Sequence, residues 1–291
     1  MSDKPLLVPA WMLTLTAMFT VQLGSALSMP MIDALGAGGT AWLRLSWAAI
    51  IFLVVTRPQW RSITRHDLPV LVGLGVTTGV VTMAFLGAID RIPLGASISI
   101  EFLGPLTVAT VRSKNPRARI WPVIAFIGVI ILTKPWEGSL NLVGVALAVI
   151  AGVGWATYIL LTTLIGDRYE GLTGLAITMP ISAVTAGIFG AREAIPHLSM
   201  EWIVAGLGLA MLLPVIPYAL ELISLRHMSQ AAFGTFMALE PAFGALLGAV
   251  LLAQPATLFQ IIGVALVVAA GIATQRIDRK QAAVSHLEVS E

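Results

Sequence analysis

The chain contains no cysteine, which excludes disulfides, thiolate metal ligands and thiol catalysis. It is poor in charge: 11% of its 291 residues are Asp, Glu, Lys or Arg, where soluble domains carry about 25%. Four histidines, His66, His197, His227 and His286, fall in loops, in the tail or at a helix end and form no metal cluster. The enzyme signatures HExxH, GxSxG, GxxxxGKS/T and GxGxxG are missing. The net charge is only +2 and the basic residues are not clustered, which removes nucleic acid as a partner. The sequence thus points to no enzyme, no metal and no cofactor.

What the chain has is apolar surface. Hydrophobic residues make up 57% and mean hydropathy is +0.91. A chain of this size exposes a large area, so that area must face lipid. The sequence reads as an integral membrane protein of the all-α class, with lipid as one partner. Only Lys4 precedes the first apolar run, and no small-residue cleavage site leads into a soluble domain. The run reads as a retained helix rather than a signal peptide.

Ten segments are long and apolar enough to cross a bilayer, which takes about 20 residues each: 10–32, 38–56, 68–88, 93–111, 119–134, 140–165, 171–190, 200–224, 229–252 and 256–274. Short polar or Pro/Gly turns separate them, among them RPQWRSITRHD (57–67), RSKNPRAR (112–119), KPWEGS (134–139) and AQPA (253–256). The tail 276–291 is polar and reads as disordered. With the N-terminus in the cytoplasm, 13 Lys and Arg fall on inside segments and 3 (Arg91, Lys134, Arg192) on outside loops. The bias places both termini inside. Trp60, Trp121, Trp136 and Trp202 stand near span ends as interface anchors.

An internal repeat is visible at an offset of 136 residues. Pro105 falls on Pro241, and IPLGASISIEFLGPLTVA (92–109) falls on MSQAAFGTFMALEPAFGA (228–245). Two units of five helices, 10–134 and 140–275, must cross the membrane in opposite senses because five is odd. This is an inverted repeat, an architecture that places substrate at the interface of the halves near the midplane.

Charge inside hydrocarbon costs about 2.5–3.5 kcal/mol per residue on insertion scales. Four groups incur it: Arg44, Glu101, Glu221 and Glu240. Glu101 and Glu240 lie near mid-helix, each beside a proline expected to break its helix, Pro105 or Pro241. A proline frees the carbonyl one turn earlier, which for Pro105 is that of Glu101. An acceptor-rich spot of this kind suits a protonated amine, and a carboxyl kept from water can load and release a proton near neutral pH. Packing alone is the competing role for either carboxyl. Glu221, with Tyr218 on its face and Pro214 and Pro217 nearby, is either interfacial or functional. Three roles are open to Arg44: snorkelling to the outer surface, neutralising a Glu, or binding a substrate carboxylate. Gln22 and Ser25 share a face, as do Trp155, Tyr158 and Thr162; such stripes serve packing or a polar lining. Gly75/Gly79 and Gly244/Gly248 read as close helix packing.

Ten helices in two halves, with PLGASISIEFLGPLTVA and FGTFMALEPAFGALLGAVLL, resemble the EamA-type drug/metabolite transporter superfamily. WLRLSWAA (42–49), EFLGPL (101–106), GWATYIL (154–160) and PYALELISL (217–225) resemble its bacterial threonine/homoserine exporter branch. The likeness spans roughly residues 10–275. It implies an inner-membrane exporter of small amino acids driven by the proton gradient, working by alternating access. On that reading Arg44, Glu101, Trp155, Tyr158, Tyr218, Glu221 and Glu240 bind substrate, and Glu101 and Glu240 couple the proton. Helices one to four and six to nine would line the cavity, with five and ten peripheral. Another solute (a purine, a sugar derivative or a drug) is the alternative within the fold, and an ion channel the alternative outside it. A monomer and a homodimer both remain open.

Overall fold

A computed structural model describes residues 8–58, 63–113, 116–134, 141–165, 169, 172–228, 230–254 and 257–289. Trp60 and Trp136 lie outside them, as do Arg61, Lys114 and Arg168. The regular structure of the described residues is entirely helical, with no strand among them. The helices are α1 (Ala10–Leu27), α2 (Met29–Thr56), α3 (Leu68–Ile89), α4 (Leu94–Arg112), α5 (Ile120–Thr133), α6 (Leu142–Ile165), α7 (Leu172–Ala194), α8 (Met200–Ala210), α9 (Ile216–His227), α10 (Gln230–Met237), α11 (Glu240–Leu251) and α12 (Leu258–Val289). A π-helical segment, Met211–Val215, joins α8 to α9 into one span. Another span, Ala232–Leu251, takes in α11 and most of α10. Among the described residues eight helices meet the length and hydropathy needed to cross a membrane, and Ile120–Thr133 and Leu258–Thr274 are shorter apolar helices. Helix formation of this kind follows from the solvent, because a backbone in hydrocarbon must satisfy its own hydrogen bonds.

Four differences from the sequence expectation have physical causes. The second span begins at Met29 rather than near 38, because α2 runs on through GAGG by turning at Gly36. Gly36 has φ 71° and ψ 164°, a conformation a Cβ would oppose. The span 229–252 is two helices, interrupted at Ala238 and Leu239, with Pro241 in the first turn of α11 where its missing N–H costs nothing. By contrast α4 runs unbroken through Pro105. The tail is helical rather than disordered: from Gln275 to Val289 it contains neither glycine nor proline, so α12 continues.

Small residues set the packing. A Cβ added at Gly104 of α4 would strike the carbonyl of Gly152 on α6. One at Gly152 would lie 2.9 Å from the carbonyl oxygen of Glu101. The backbones of α4 and α6 therefore touch at this crossing. The carbonyl released by Pro105 is covered by Gly152, which offers it a Cα–H contact and removes the reason for the helix to break. Gly75 and Gly79 meet α7 at Thr178, Ile181, Ser182 and Thr185, and Gly244 meets α4 at Ile98. Gly128 and Gly263 bring α5 against α12.

The main helix contacts form a pattern. α2 packs on α7, α4 on α11, and α5 on α12. α3 packs on α6, while α1 packs on α9. α4 also meets α6, as α1 meets α10 and α11. α5 and α12 pack mainly on each other, on α4 and on α10 and α11, and so stand to one side.

Gly104→Ala is expected to lower the melting temperature of the detergent-solubilised protein, since separating two backbones costs about 1–3 kcal/mol. Gly208→Ala, whose Cβ would meet nothing within 4 Å, is the control expected to melt like the parent.

Candidate functional site

Arg44 is 3% exposed, at mid-length of α2. It lies eight residues, or about 12 Å of helix rise, past the kink at Gly36. Its burial excludes snorkelling. Its Nε and Nη1 have no hydrogen-bond partner, and no ion pair joins it among the described residues. Neutralisation by a bonded Glu is therefore excluded as well.

Glu101 (8% exposed) enters from α4, held in place by the Gly104–Gly152 crossing. Glu240 (5% exposed) is the first residue of α11, where the positive end of the helix dipole favours a carboxylate. Glu221 is half-buried on α9. Because α9 runs to His227, Glu221 lies about 9 Å of helix rise from that end, deeper than the span 200–224 would place it.

These groups converge. Tyr218 of α9 lies within electrostatic range of Arg44, Glu221, Glu240 and Tyr158. Glu240 lies within range of Glu221 and Glu101, and Tyr158 within range of Glu221. One cation, three carboxyls and two phenols from α2, α4, α6, α9 and α11 thus form one polar cluster inside an apolar bundle. Trp155 is half-buried on α6, three residues beyond Gly152, and no hydrogen bond or ion pair ties it to the cluster among the described residues. Gln22 is buried with an unpartnered Oε1, whereas Ser25 donates to the carbonyl of Val21 at 2.9 Å. Thr162 donates to the carbonyl of Tyr158 at 2.8 Å. The serine and the threonine spend their hydroxyls on their own helices and offer little to a ligand.

A cavity of about 790 Å³ lies at one mouth of the bundle, lined by Asp33, Gly36, Gly38, Asp90, Arg91, Glu193 and His197 among others. Its inner wall reaches Gly36, eight residues from Arg44 along α2.

The family model for the EamA-like transporter family matches residues 142–274. The threonine/homoserine exporter RhtA of Escherichia coli (strain K12) is 32% identical over 296 residues, covering 97% of this chain and 98% of the relative. The exporter of the same name from Salmonella typhimurium (strain LT2) is 32% identical over 295 residues, with 97% of each covered. The chain belongs to the EamA-like transporter family. It is an integral membrane transporter and not an enzyme. A crystal structure of a protein 15% identical aligns over 89% of this chain and 95% of its own, at a TM-score of 0.58, a likeness of fold alone.

For a membrane transporter the cluster has a clear chemical capacity. A guanidinium with free N–H groups recognises a carboxylate, and three carboxyls can hold an ammonium or a proton. The sequence reading found each charged member because charge in an apolar run stands out. It did not find Thr40, which is buried on α2 with an unpartnered hydroxyl. Nor did it find Gly152, whose role is visible only once α4 and α6 are side by side.

A buried cation without a bonded partner is costly to the resting protein. Arg44→Met is therefore expected to raise the melting temperature of the ligand-free protein by about 2 °C or more, read by differential scanning fluorimetry in detergent. A fall would reveal a structural partner for Arg44.

Proposed function

We propose that the protein exports small neutral amino acids of the threonine/homoserine kind across the bacterial inner membrane, coupled to protons, by alternating access. The observation that carries this reading is the buried, unpartnered guanidinium of Arg44, within range of Tyr218, which lies within range of Glu221 and Glu240, and Glu240 in turn of Glu101. A zwitterion needs one anion site and one cation site, and the cluster supplies both. Arg44 takes the substrate carboxylate, and Glu101 takes the ammonium or the coupling proton. Glu240, at a helix start, is the second proton site. Tyr158, Tyr218 and Glu221 complete the wall, with Trp155 one turn from the α4 crossing. The 32% identity to named threonine/homoserine exporters over nearly the full chain supports the substrate class.

The mechanism rests on two inverted halves, residues 10–134 and 140–275. The helix contacts support them. Exchanging each of the first five spans with its counterpart in the last five carries the α3–α6 contact onto α1–α9. It likewise carries α4–α6 onto the contacts of α1 with α10 and α11. It leaves α2–α7, α4–α11 and α5–α12 in place. Such a set fits a two-fold axis relating the halves, and an odd number of spans in each half would lay that axis in the membrane plane. With both termini in the cytoplasm, the cavity at Asp33, Asp90 and Glu193 opens outward.

The test is counterflow of labelled L-threonine and L-homoserine in proteoliposomes, with and without a pH gradient. The parent is expected to exchange both, and the gradient to drive accumulation. Glu101→Gln, at equal abundance, is expected to lose gradient-driven accumulation, and Arg44→Gln to raise the half-saturation concentration at least about thirtyfold. Accumulation by Glu101→Gln at the parent's level would remove Glu101 from the coupling step. Failure of the parent to exchange either amino acid would overturn the substrate class.

A further inference from the structure

Every other buried serine or threonine among the described residues uses its hydroxyl in a hydrogen bond. Thr14, Ser25, Ser28, Ser97, Ser99, Thr110, Thr178, Ser182, Thr185 and Thr274 donate to the carbonyl four residues back, and Ser224 donates to the carbonyl of Ala10. Thr40 is the exception among them: it is 0% exposed and its Oγ1 has no partner; the other threonine with an unpartnered Oγ1 is the partly exposed Thr56, the last residue of α2. Four residues before Thr40 stands Gly36, whose φ of 71° and ψ of 164° turn its carbonyl away from the helical direction. The acceptor that satisfies the other hydroxyls is not where Thr40 needs it.

An unsatisfied buried hydroxyl is costly and could have been avoided with valine. It stands one helical turn from Arg44, on the same face, so the two side chains are neighbours. Arg44 itself presents unpartnered Nε and Nη1. Two orphaned donors side by side define a site for an acceptor with two oxygens. We propose that Thr40 is a substrate-positioning residue whose hydroxyl, with the Arg44 guanidinium, clamps the carboxylate of the transported amino acid. Arg44 holds one carboxylate oxygen by charge, and Thr40 donates to the other and fixes the plane of the group. Gly36, Thr40 and Arg44 follow one another at single-turn intervals along α2, and Gly36 lines the outer cavity. Thr40 therefore stands between that cavity and the guanidinium, where a carboxylate meets it on the way through. This inference rests on the amino-acid reading above and deepens it by adding a ligand-contacting group.

The test compares parent, Thr40→Val and Thr40→Ser in proteoliposome counterflow of labelled L-threonine. L-threoninol, which keeps the amine and the hydroxyl but lacks the carboxylate, serves as a competitor. Thr40→Val keeps shape and removes the hydroxyl, and is expected to raise the half-saturation concentration about tenfold at unchanged maximal rate. Thr40→Ser is expected to stay within about twofold of the parent. Inhibition by L-threoninol is expected to be equal in parent and Thr40→Val, since it never engages the clamp. Ligand-free Thr40→Val is expected to melt at or above the parent temperature, because an unsatisfied hydroxyl has been replaced by a methyl. A Thr40→Val protein that matches the parent in half-saturation overturns the clamp alone. So does one that loses abundance and maximal rate while keeping its half-saturation, because Thr40 would then serve packing. If the parent exchanges neither L-threonine nor L-homoserine, the amino-acid reading fails and the clamp falls with it.

Discussion

A guanidinium without a bonded partner, held inside an apolar bundle, is the constraint around which this protein is arranged. Arg44 is nearly inaccessible and leaves two nitrogens unpartnered. Low dielectric makes such a group expensive, and equally makes any acceptor that reaches it strongly held. No carboxyl bonds it among the described residues; Tyr218 lies within electrostatic range of it and also of Glu221 and Glu240. A direct ion pair would have silenced the cation. Separation through Tyr218 leaves room for a zwitterion to complete both halves of the charge pattern at once.

Backbone contact sets that separation. The α4–α6 crossing at Gly104 and Gly152 fixes the height of Glu101, and the interruption at Ala238 and Leu239 sets Glu240 at a helix start. Both devices put a carboxyl at a chosen depth without a salt bridge to hold it. The Gly152 contact also explains why α4 tolerates Pro105. The carbonyl that the proline orphans is not left bare in hydrocarbon, where an unsatisfied group costs several kcal/mol, but is covered by a neighbouring Cα.

The helix count and the charged members of the site were legible in the sequence for one reason. Hydropathy integrates over about 20 residues, so a span, or a charge within one, stands out from its surroundings. What depends on one backbone angle or one interhelical distance was not legible. Threonine in an apolar helix ordinarily satisfies itself, and Thr40 reads as ordinary until Gly36 is seen to have left the helical conformation. Gly152 reads like any small residue until α4 is laid beside it. The expectation that Pro105 and Pro241 both break their helices fails for Pro105, because a proline's effect depends on its position. At the second residue of α11 it fits a helix start, and within α4 it is accommodated by packing. The tail was misread for the opposite reason, since a polar composition says what a segment avoids and not what its helix propensity allows.

Gly36 links the cavity at the bundle's mouth to the charged cluster. Its left-handed φ ends one stretch of α2 and begins another, lines the mouth, and withholds the acceptor Thr40 would otherwise use. On its far side lies the carboxyl of Glu193, 3.1 Å from where a Cβ at Gly36 would stand. A single residue thus touches the mouth's acidic rim and, one turn deeper, sets the bonding state of a hydroxyl beside Arg44. If α2 straightened at Gly36, its carbonyl would fall into the helical ladder and capture Thr40, leaving Arg44 as the lone donor. The bend and the availability of the second donor are then the same event. Were the proposed alternating-access cycle to straighten α2 here, a carboxylate would be held by two donors in one conformation and by one in the other, with no change in charge at the site.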